Sequence, residues 1–156
     1  MSPSAPTRTN FTVDGHPTAA WVHSSGSSAR PVLMVHGFRG DHHGMDLIAG
    51  AIRDRDVIVG DLPGFGLTPP LASGLSLDAY CDHLAGLVAE VTRRWQAAPI
   101  VLGHSFGSIL VAHTAARQPS TAPELILINP ITTPALEGSA KAVSYTHLTL
   151  PTICSV

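Results

Sequence analysis

Four short, continuous apolar runs alternate with segments of helical periodicity, and this alternation decides the fold class. The runs cover residues 31–35, 57–59, 100–102 and 125–128. Each is too short for a helix and has no polar face, which is typical of strands buried on both faces of a sheet. Strands that alternate with helices are parallel, so the sequence predicts an α/β fold, a mostly parallel sheet with helices on both faces.

Three helices and an N-terminal hairpin complete the predicted order of elements. Apolar residues at steps of three and four over residues 77–95 indicate a long amphipathic helix, for which Ser76 is a suitable N-cap. Shorter helices are expected over residues 45–52 and 106–117. The pair Asp14–Gly15, between two apolar segments, predicts the tight turn of a β-hairpin.

The pentapeptide at residues 103–107 has the pattern Gly-x-Ser-x-Gly between a predicted strand and a predicted helix. In that setting Ser105 occupies a sharp turn that exposes its hydroxyl at the end of the sheet. Gly103 and Gly107 leave room where the strand and helix backbones pass closely. The alternative interpretation is an ordinary helix N-cap at Ser105, and the pentapeptide alone would favour it.

Two upstream motifs shift the balance toward a nucleophile. Residues 36–40 read His-Gly-Phe-Arg-Gly after the first parallel strand, and residues 61–66 read Asp-Leu-Pro-Gly-Phe-Gly after the second. With the Ser105 pentapeptide, in this order and each on the expected element, they resemble the α/β-hydrolase superfamily. The resemblance extends over about residues 11–134 and implies that superfamily's fold, truncated here after about the sixth strand.

The resemblance implies Ser105 as the catalytic nucleophile and the backbone N–H groups of Phe38 and Phe106 as the oxyanion hole. Asp61 is expected to shape its turn and not to serve as the catalytic acid. The remaining motif residues are expected to support these positions through the backbone or through loop structure. They are His36, Gly37, Gly103, His104 and Gly107.

The reaction implied by the resemblance is acyl transfer to Ser105, with a small-molecule ester, amide or activated C–C bond as substrate and no cofactor. Serine at this position argues against dehalogenases and epoxide hydrolases, which use carboxylate nucleophiles in this superfamily. A non-catalytic hydrolase-fold protein that binds a small ligand is the alternative. A Rossmann dinucleotide-binding fold is excluded because no G-x-G-x-x-G follows the first parallel strand.

Composition and charge limit the classes of partner that the chain is expected to bind. The apolar fraction of 44% is enough for a core, and a formal net charge of −2 without a basic cluster predicts no nucleic-acid or anionic-membrane partner. No apolar run reaches the roughly 18 residues of a membrane span. Residues 1–10 carry no secretory signal pattern, so a cytoplasmic location is expected. Nothing in the sequence indicates the oligomeric state.

Three polar residues in or just after the loop at residues 36–40 have less specific interpretations. No Cys/His/Asp set at metal spacing accompanies His42 and His43, so no metal site is expected. Both are interpreted as polar residues at a helix start, with a substrate contact as the alternative. Arg39 is interpreted as a surface arginine, with contact to an acidic substrate group as its alternative.

The residues that should complete a catalytic triad are not evident. In this superfamily an acid and then a histidine follow the nucleophile. After Ser105 the acids are Glu124 and Glu137, and the histidines are His113 and His147. Glu124 precedes a strand, His113 lies well inside the next helix, and no strand pattern supports the other pair. We therefore expect an incomplete triad and negligible turnover by this chain.

The C-terminal segment does not continue the pattern of strands and helices. Residues 143–152 can be back-translated to a DNA string that resembles a transposase-based sequencing adapter read in frame. We hypothesise a disordered N-terminus at residues 1–10, a partial hydrolase core at 11–142 and a non-native, adapter-encoded tail at 143–156. Source DNA that runs past Ala142 without the adapter string would contradict this hypothesis.

Overall fold

The computed structural model describes residues 5–121 and 124–130. Its strands, in chain order, are β1 (Thr7–Val13), β2 (His16–His23), β3 (Val32–Val35), β4 (Val57–Gly60), β5 (Ile100–His104) and β6 (Leu125–Ile128). Its helices are α1 (Asp46–Ala51), α2 (Leu77–Trp95) and α3 (Phe106–Arg117), with 3₁₀ turns at His42–Met45 and Pro119–Thr121. The proposed tail at residues 143–156 lies outside the described residues.

The six strands form one sheet in the order β1-β2-β4-β3-β5-β6. Strands β4, β3, β5 and β6 are parallel, and β1 and β2 join them as an antiparallel hairpin beside β4. The predicted α/β fold with a mostly parallel sheet is confirmed. Crossover connections through α1, α2 and α3 bring the carboxyl ends of the parallel strands to one edge.

Both faces of the sheet are covered, which explains why the parallel strands are apolar at every position. On β3, Leu33 and Val35 face the core under α2 and α3, whereas Val32 and Met34 face α1. All four side chains are buried. A strand with one solvated face would need polar residues at alternate positions, so this burial accounts for the continuous apolar runs.

The N-terminal hairpin begins earlier than the sequence suggested. Residues 7–10, assigned above to a disordered terminus, form the first half of β1 and pair with β2, so that assignment is wrong for these residues. Arg94 on α2 donates to Thr9 Oγ1 at 2.8 Å and to the Asn10 carbonyl at 3.3 Å. Its guanidinium also lies 4.2 Å from the centroid of the Phe11 ring. Polar residues are tolerated here because β1 is an edge strand.

The predicted turn and the predicted long helix are both present. Asp14 and Gly15 have φ values of 48° and 81°, as a two-residue hairpin turn requires. Helix α2 spans the predicted residues, and Ser76 accepts a hydrogen bond from the Ala79 N–H at 3.1 Å. None of the described helices is long and apolar enough to cross a membrane.

Replacing Ser76 with alanine should lower the free energy of unfolding by about 1 kcal/mol, because the Ala79 N–H would lose its acceptor. Urea denaturation followed by far-ultraviolet circular dichroism measures this change. Ser76→Asn preserves a capping oxygen, so its free energy of unfolding should stay close to that of the parent chain. An equal loss in both variants would contradict a capping role.

Acid should destabilise the fold through His83 on α2. Burial, and secondly the charge of neighbouring His16, lower the pKa of His83 to about 4, and Thr18 Oγ1 lies 3.2 Å from its Nε2. The unfolded chain binds this proton near pH 6.5, but the folded chain does not bind it until about pH 4. Stability is therefore lost as pH falls through this window, by ~2–3 kcal/mol between pH 7 and 4.5.

Urea titrations of the parent chain and His83→Gln at these two pH values test the prediction. The variant should lose less stability on acidification than the parent. Equal losses in the two proteins would show that His83 does not carry this pH dependence.

Candidate active site

Three loops that carry the sequence motifs meet at one edge of the sheet. The register aligns the ends of β3, β4 and β5. The loop at residues 36–40 follows β3, the turn at residues 61–66 follows β4, and Ser105 follows β5. In open α/β sheets, ligands bind outside the carboxyl ends of the strands. The fold therefore brings the three motifs together where a site is expected.

Ser105 has an uncommon backbone conformation, with φ 54° and ψ −117°. Its N–H donates to the Ile128 carbonyl at 2.9 Å, and its own carbonyl accepts from the Ser108 N–H at 2.9 Å. A positive φ at a non-glycine residue costs of order 1–3 kcal/mol and persists only where the surroundings enforce it. The backbone at Ser105 is thus held in a strained turn by bonds to β6 and to α3.

Comparison with Ser76 shows that Ser105 does not act as an N-cap. Ser76 has the extended backbone of a capping residue, with φ −108° and ψ 159°, and its hydroxyl accepts from the helix. The Ser105 side chain makes no capping hydrogen bond to α3. The capping interpretation therefore fails for Ser105. Its half-buried side chain is not engaged in capping α3.

The glycines around Ser105 are required by close backbone contacts. A Cβ on Gly103 would lie 2.5 Å from the Gly107 carbonyl oxygen, and one on Gly107 would lie 2.3 Å from the Val35 carbonyl oxygen. A Cβ on Gly37 would lie 3.2 Å from the Ser105 Cβ. The first two distances are shorter than any side chain allows. The pentapeptide can therefore form this turn only with glycine at both of its ends.

Ser108 supports the turn, and the sequence analysis did not identify it. Its buried hydroxyl lies 2.9 Å from the Gly103 carbonyl and 3.0 Å from the Ile128 carbonyl, so it shares a hydrogen bond between β5 and β6. His104, the last residue of β5, is paired with Ile128 across the same strands. A small polar residue directly after the pentapeptide is the sequence signal that could have identified Ser108.

His36 links the loop after β3 to the turn after β4. Its Nδ1 lies 2.8 Å from the Gly37 carbonyl, and its Nε2 accepts from the Leu62 N–H at 2.9 Å. Nε2 must therefore be unprotonated, in agreement with the pKa of His36, which burial holds below its ordinary value. The contacts of this side chain are those of a loop-forming histidine, as expected from the motif.

Asp61 lies fully buried beneath the same two loops. Its Oδ1 accepts from the His42 N–H at 2.9 Å and lies 3.1 Å from His42 Nδ1, and its Oδ2 accepts from the Leu67 N–H at 2.8 Å. A Cβ on Gly66 would overlap this carboxylate, at 2.0 Å from Oδ2. Asp61 thus organises the turn, which agrees with the structural role inferred from its motif.

Aromatic rings surround the turn at Ser105. The centroid of the Phe38 ring lies 5.7 Å from that of Phe65 and 5.8 Å from that of Phe106, and Tyr80 lies 5.9 Å from Phe106, all in edge-to-face geometry. Phe38 is 63% exposed. Arg39, with φ 59°, is also exposed, and its guanidinium lies 5.9 Å from the Phe38 ring. The site therefore has an apolar wall that is open to solvent.

The acids and histidines that follow Ser105 are not gathered around it in the described part of the chain. Glu124 pairs with Arg30 at 2.9 Å and precedes β6, so it lies at the edge of the sheet opposite Ser105. His113 lies within α3, as expected. The two other candidates lie outside the described residues: Glu137 and His147.

The structure adds one group that the sequence analysis did not expect. Asp41, His42 and His43 each offer a potential metal ligand, and these three ligand atoms lie within 4.8 Å of one another. No metal site was predicted here, because three consecutive residues do not have the ligand spacing of conventional metal motifs. His42 and His43 do lie in the 3₁₀ turn that precedes α1, as expected for polar residues at a helix start.

Comparison with known proteins identifies the family. The sequence profile of the alpha/beta hydrolase fold family matches residues 30–145, which is more than half of the chain. This chain belongs to that family. The match covers all three motifs of this α/β-hydrolase chain. The structure places each motif at or directly after the end of the strand that was predicted to precede it.

Individual relatives agree with this assignment. The lipase LipV of Mycobacterium tuberculosis (strain ATCC 25618 / H37Rv) is 31% identical over 108 residues, which is 69% of this chain and 39% of the lipase. A membrane phospholipase A, described as a bacterial virulence factor, superposes with a TM-score of 0.72 at 25% identity, over 85% of this chain and 43% of that protein.

A further crystal structure with the same fold is that of N-formylmaleamic acid deformylase Nfo from Pseudomonas putida S16. Its TM-score is 0.70 at 23% identity, over 81% of this chain and 48% of the deformylase. This α/β-hydrolase chain thus spans less than half the length of each of the three proteins.

Proposed function

We propose that Ser105 is the nucleophile of a serine hydrolase that cleaves a small-molecule substrate through an acyl-enzyme. The observation that carries the proposal is the strained backbone at Ser105, with φ 54° and no capping bond to explain it. Gly103 and Gly107 permit this turn, since a Cβ on either residue would clash with neighbouring backbone. Such strain concentrates where a side chain must be presented for chemistry.

The oxyanion hole is proposed to consist of the backbone N–H groups of Phe38 and Phe106. Phe106 is the first residue of α3, and N–H groups in a helix's first turn have no acceptor within the helix. Phe38 follows Gly37, whose backbone packs directly against Ser105. Each such donor contributes about 10²–10³ to kcat when it meets the developing negative charge.

In the proposed reaction, Ser105 Oγ attacks the carbonyl carbon of the substrate while its proton passes to a histidine. The tetrahedral intermediate collapses, the leaving group takes the proton, and the acyl group remains on Ser105. Water then attacks the acyl-enzyme and releases the acid. We infer that the histidine and its acid partner come from outside the described residues, because Glu124 pairs with Arg30 at the opposite edge of the sheet and His113 lies within α3.

An ester is the substrate class best supported. The relative in Mycobacterium tuberculosis is named a lipase, and the apolar wall formed by Phe38, Phe65 and Phe106 suits an apolar acyl or alcohol group. Amides and activated C–C bonds are further substrate classes of the same acyl-transfer reaction.

Turnover of a p-nitrophenyl ester tests the proposal. We expect the 156-residue chain to hydrolyse it at a negligible rate above background, because members of a triad act as a unit. The full-length parent, recovered from the source genome, should turn it over. Turnover by the 156-residue chain that disappears in Ser105→Ala would show that the chain already contains a working histidine and acid, and would contradict the expected incomplete triad. No hydrolysis by the parent of any ester or amide would favour the ligand-binding alternative.

A further inference from the structure

We propose that Asp41, His42 and His43 bind a divalent transition-metal ion, with Zn²⁺ as the best match. One ligand atom from each residue lies within 4.8 Å of the other two. Two imidazoles and one carboxylate suit Zn²⁺, Ni²⁺ or Cu²⁺ and disfavour Mg²⁺ and Ca²⁺, which prefer oxygen ligands alone. The proposal is separate from the role of Ser105 and does not depend on it.

The His42 ring is already oriented as in a metal-bound histidine. Its Nδ1 lies 3.1 Å from Asp61 Oδ1, and a carboxylate oxygen only accepts, so Nδ1 carries a hydrogen, and in the neutral imidazole the lone pair is on Nε2. Metal-bound histidines commonly donate their second ring N–H to a carboxylate in this way. Asp61 is itself buried and fixed by the Leu67 N–H, so the support is rigid.

Trp21 fixes the plane of the same ring. Its ring stacks on His42 with a centroid separation of 3.2 Å and an interplanar angle of 7°. His42 is thus held at its edge by Asp61 and on one face by Trp21. A ligand whose conformation is fixed before binding loses little entropy when the metal binds.

The other two ligands can adjust. The side chains of His43 and Asp41 are 71% and 38% exposed, and the His43 ring lies 3.9 Å from that of His42. Tetrahedral Zn²⁺ with bonds of about 2.1 Å needs ligand atoms about 3.4 Å apart. Rotation of these two exposed side chains brings the three ligand atoms from within 4.8 Å to the closer spacing that Zn²⁺ needs. Water completes the coordination.

Calorimetric titration of the full chain with ZnCl₂ tests the site. We expect one saturable site and at least tenfold weaker binding in His43→Gln and in Asp41→Asn. Asparagine keeps the capping acceptor that Asp41 offers to the His43 N–H, so this variant removes the charged ligand without removing the cap. His16→Gln is the matched control, because His16 lies on the hairpin away from the site. The affinity of this variant for Zn²⁺ should equal that of the unaltered chain.

A spectrum of the unaltered chain provides a test that does not depend on variants. In a long-range ¹H–¹⁵N correlation spectrum, Zn²⁺ should shift His42 Nε2 and one nitrogen of His43 and leave His36 and His83 in place. The proposal is overturned if no saturable binding occurs up to about 1 mM Zn²⁺. Equal affinity in the Asp41, His43 and His16 variants, or an unshifted His42 Nε2, would also overturn it.

Discussion

Gly107→Ala is expected to prevent stable folding, with a loss of more than about 4 kcal/mol in the free energy of unfolding. A Cβ at this position would lie 2.3 Å from the Val35 carbonyl oxygen and 2.7 Å from the His36 carbonyl oxygen. Both are backbone atoms in or directly after the central strand β3, so neither can move without displacing the sheet. The free energy of unfolding of a folded domain is only about 5–15 kcal/mol, so little or no native protein should remain.

Gly50→Ala is the matched control for that substitution. Gly50 lies in α1, and a Cβ there would meet nothing within 4 Å. Alanine should therefore stabilise the chain by up to about 1 kcal/mol through helix propensity. Soluble yield, circular dichroism and urea denaturation of both variants measure the contrast. An unfolding midpoint of Gly107→Ala close to that of the parent chain would contradict the packing described for the turn.

Ser105→Ala is expected to abolish hydrolysis by the full-length parent and to leave the fold intact. The loss in kcat should be at least about 10⁴-fold, because the attacking oxygen is removed. The change in stability should stay within about 0.5 kcal/mol, since the Ser105 side chain makes no capping bond and the backbone bonds to Ile128 and Ser108 remain.

Ser76→Ala should behave in the opposite way, with reduced stability and unchanged kcat. The two serines have the same formal position before a helix but different backbone conformations. Measuring both properties for both variants therefore separates the capping role from the catalytic one. Loss of stability in Ser105→Ala equal to that in Ser76→Ala would indicate that both residues cap their helices.

Local patterns predicted most of the fold. The helix over residues 77–95 and its N-cap at Ser76 are observed where the 3.6-residue periodicity places them, because one face packs on the sheet and the other is solvated. The strand at 125–128 is also found at the predicted residues. The start of β1 was not predicted, because the polar residues 7–10 form a strand only by pairing with β2 and contacting Arg94.

Contacts between distant residues explain what the sequence could not indicate at the site. The glycine pattern predicted the sharp turn at Ser105, although only the contact between Gly103 and Gly107 is local in sequence and the contact between Gly107 and Val35 is not. The buried bond from Ser108 to Ile128 depends on the pairing of β5 with β6. The fixed orientation of His42 depends on Trp21 and Asp61, each about 20 residues away in the chain. No periodicity or spacing rule encodes such contacts.

Covalent labelling of the full-length parent with a fluorophosphonate tests the central claim most directly. Intact mass and peptide mapping should find a single adduct, on the peptide that contains Ser105, and labelling should disappear in Ser105→Ala while persisting in Ser76→Ala. This result would follow from an activated serine beside an oxyanion hole. An adduct that persists in Ser105→Ala, or a folded parent that is not labelled, would contradict the assignment of Ser105 as the nucleophile.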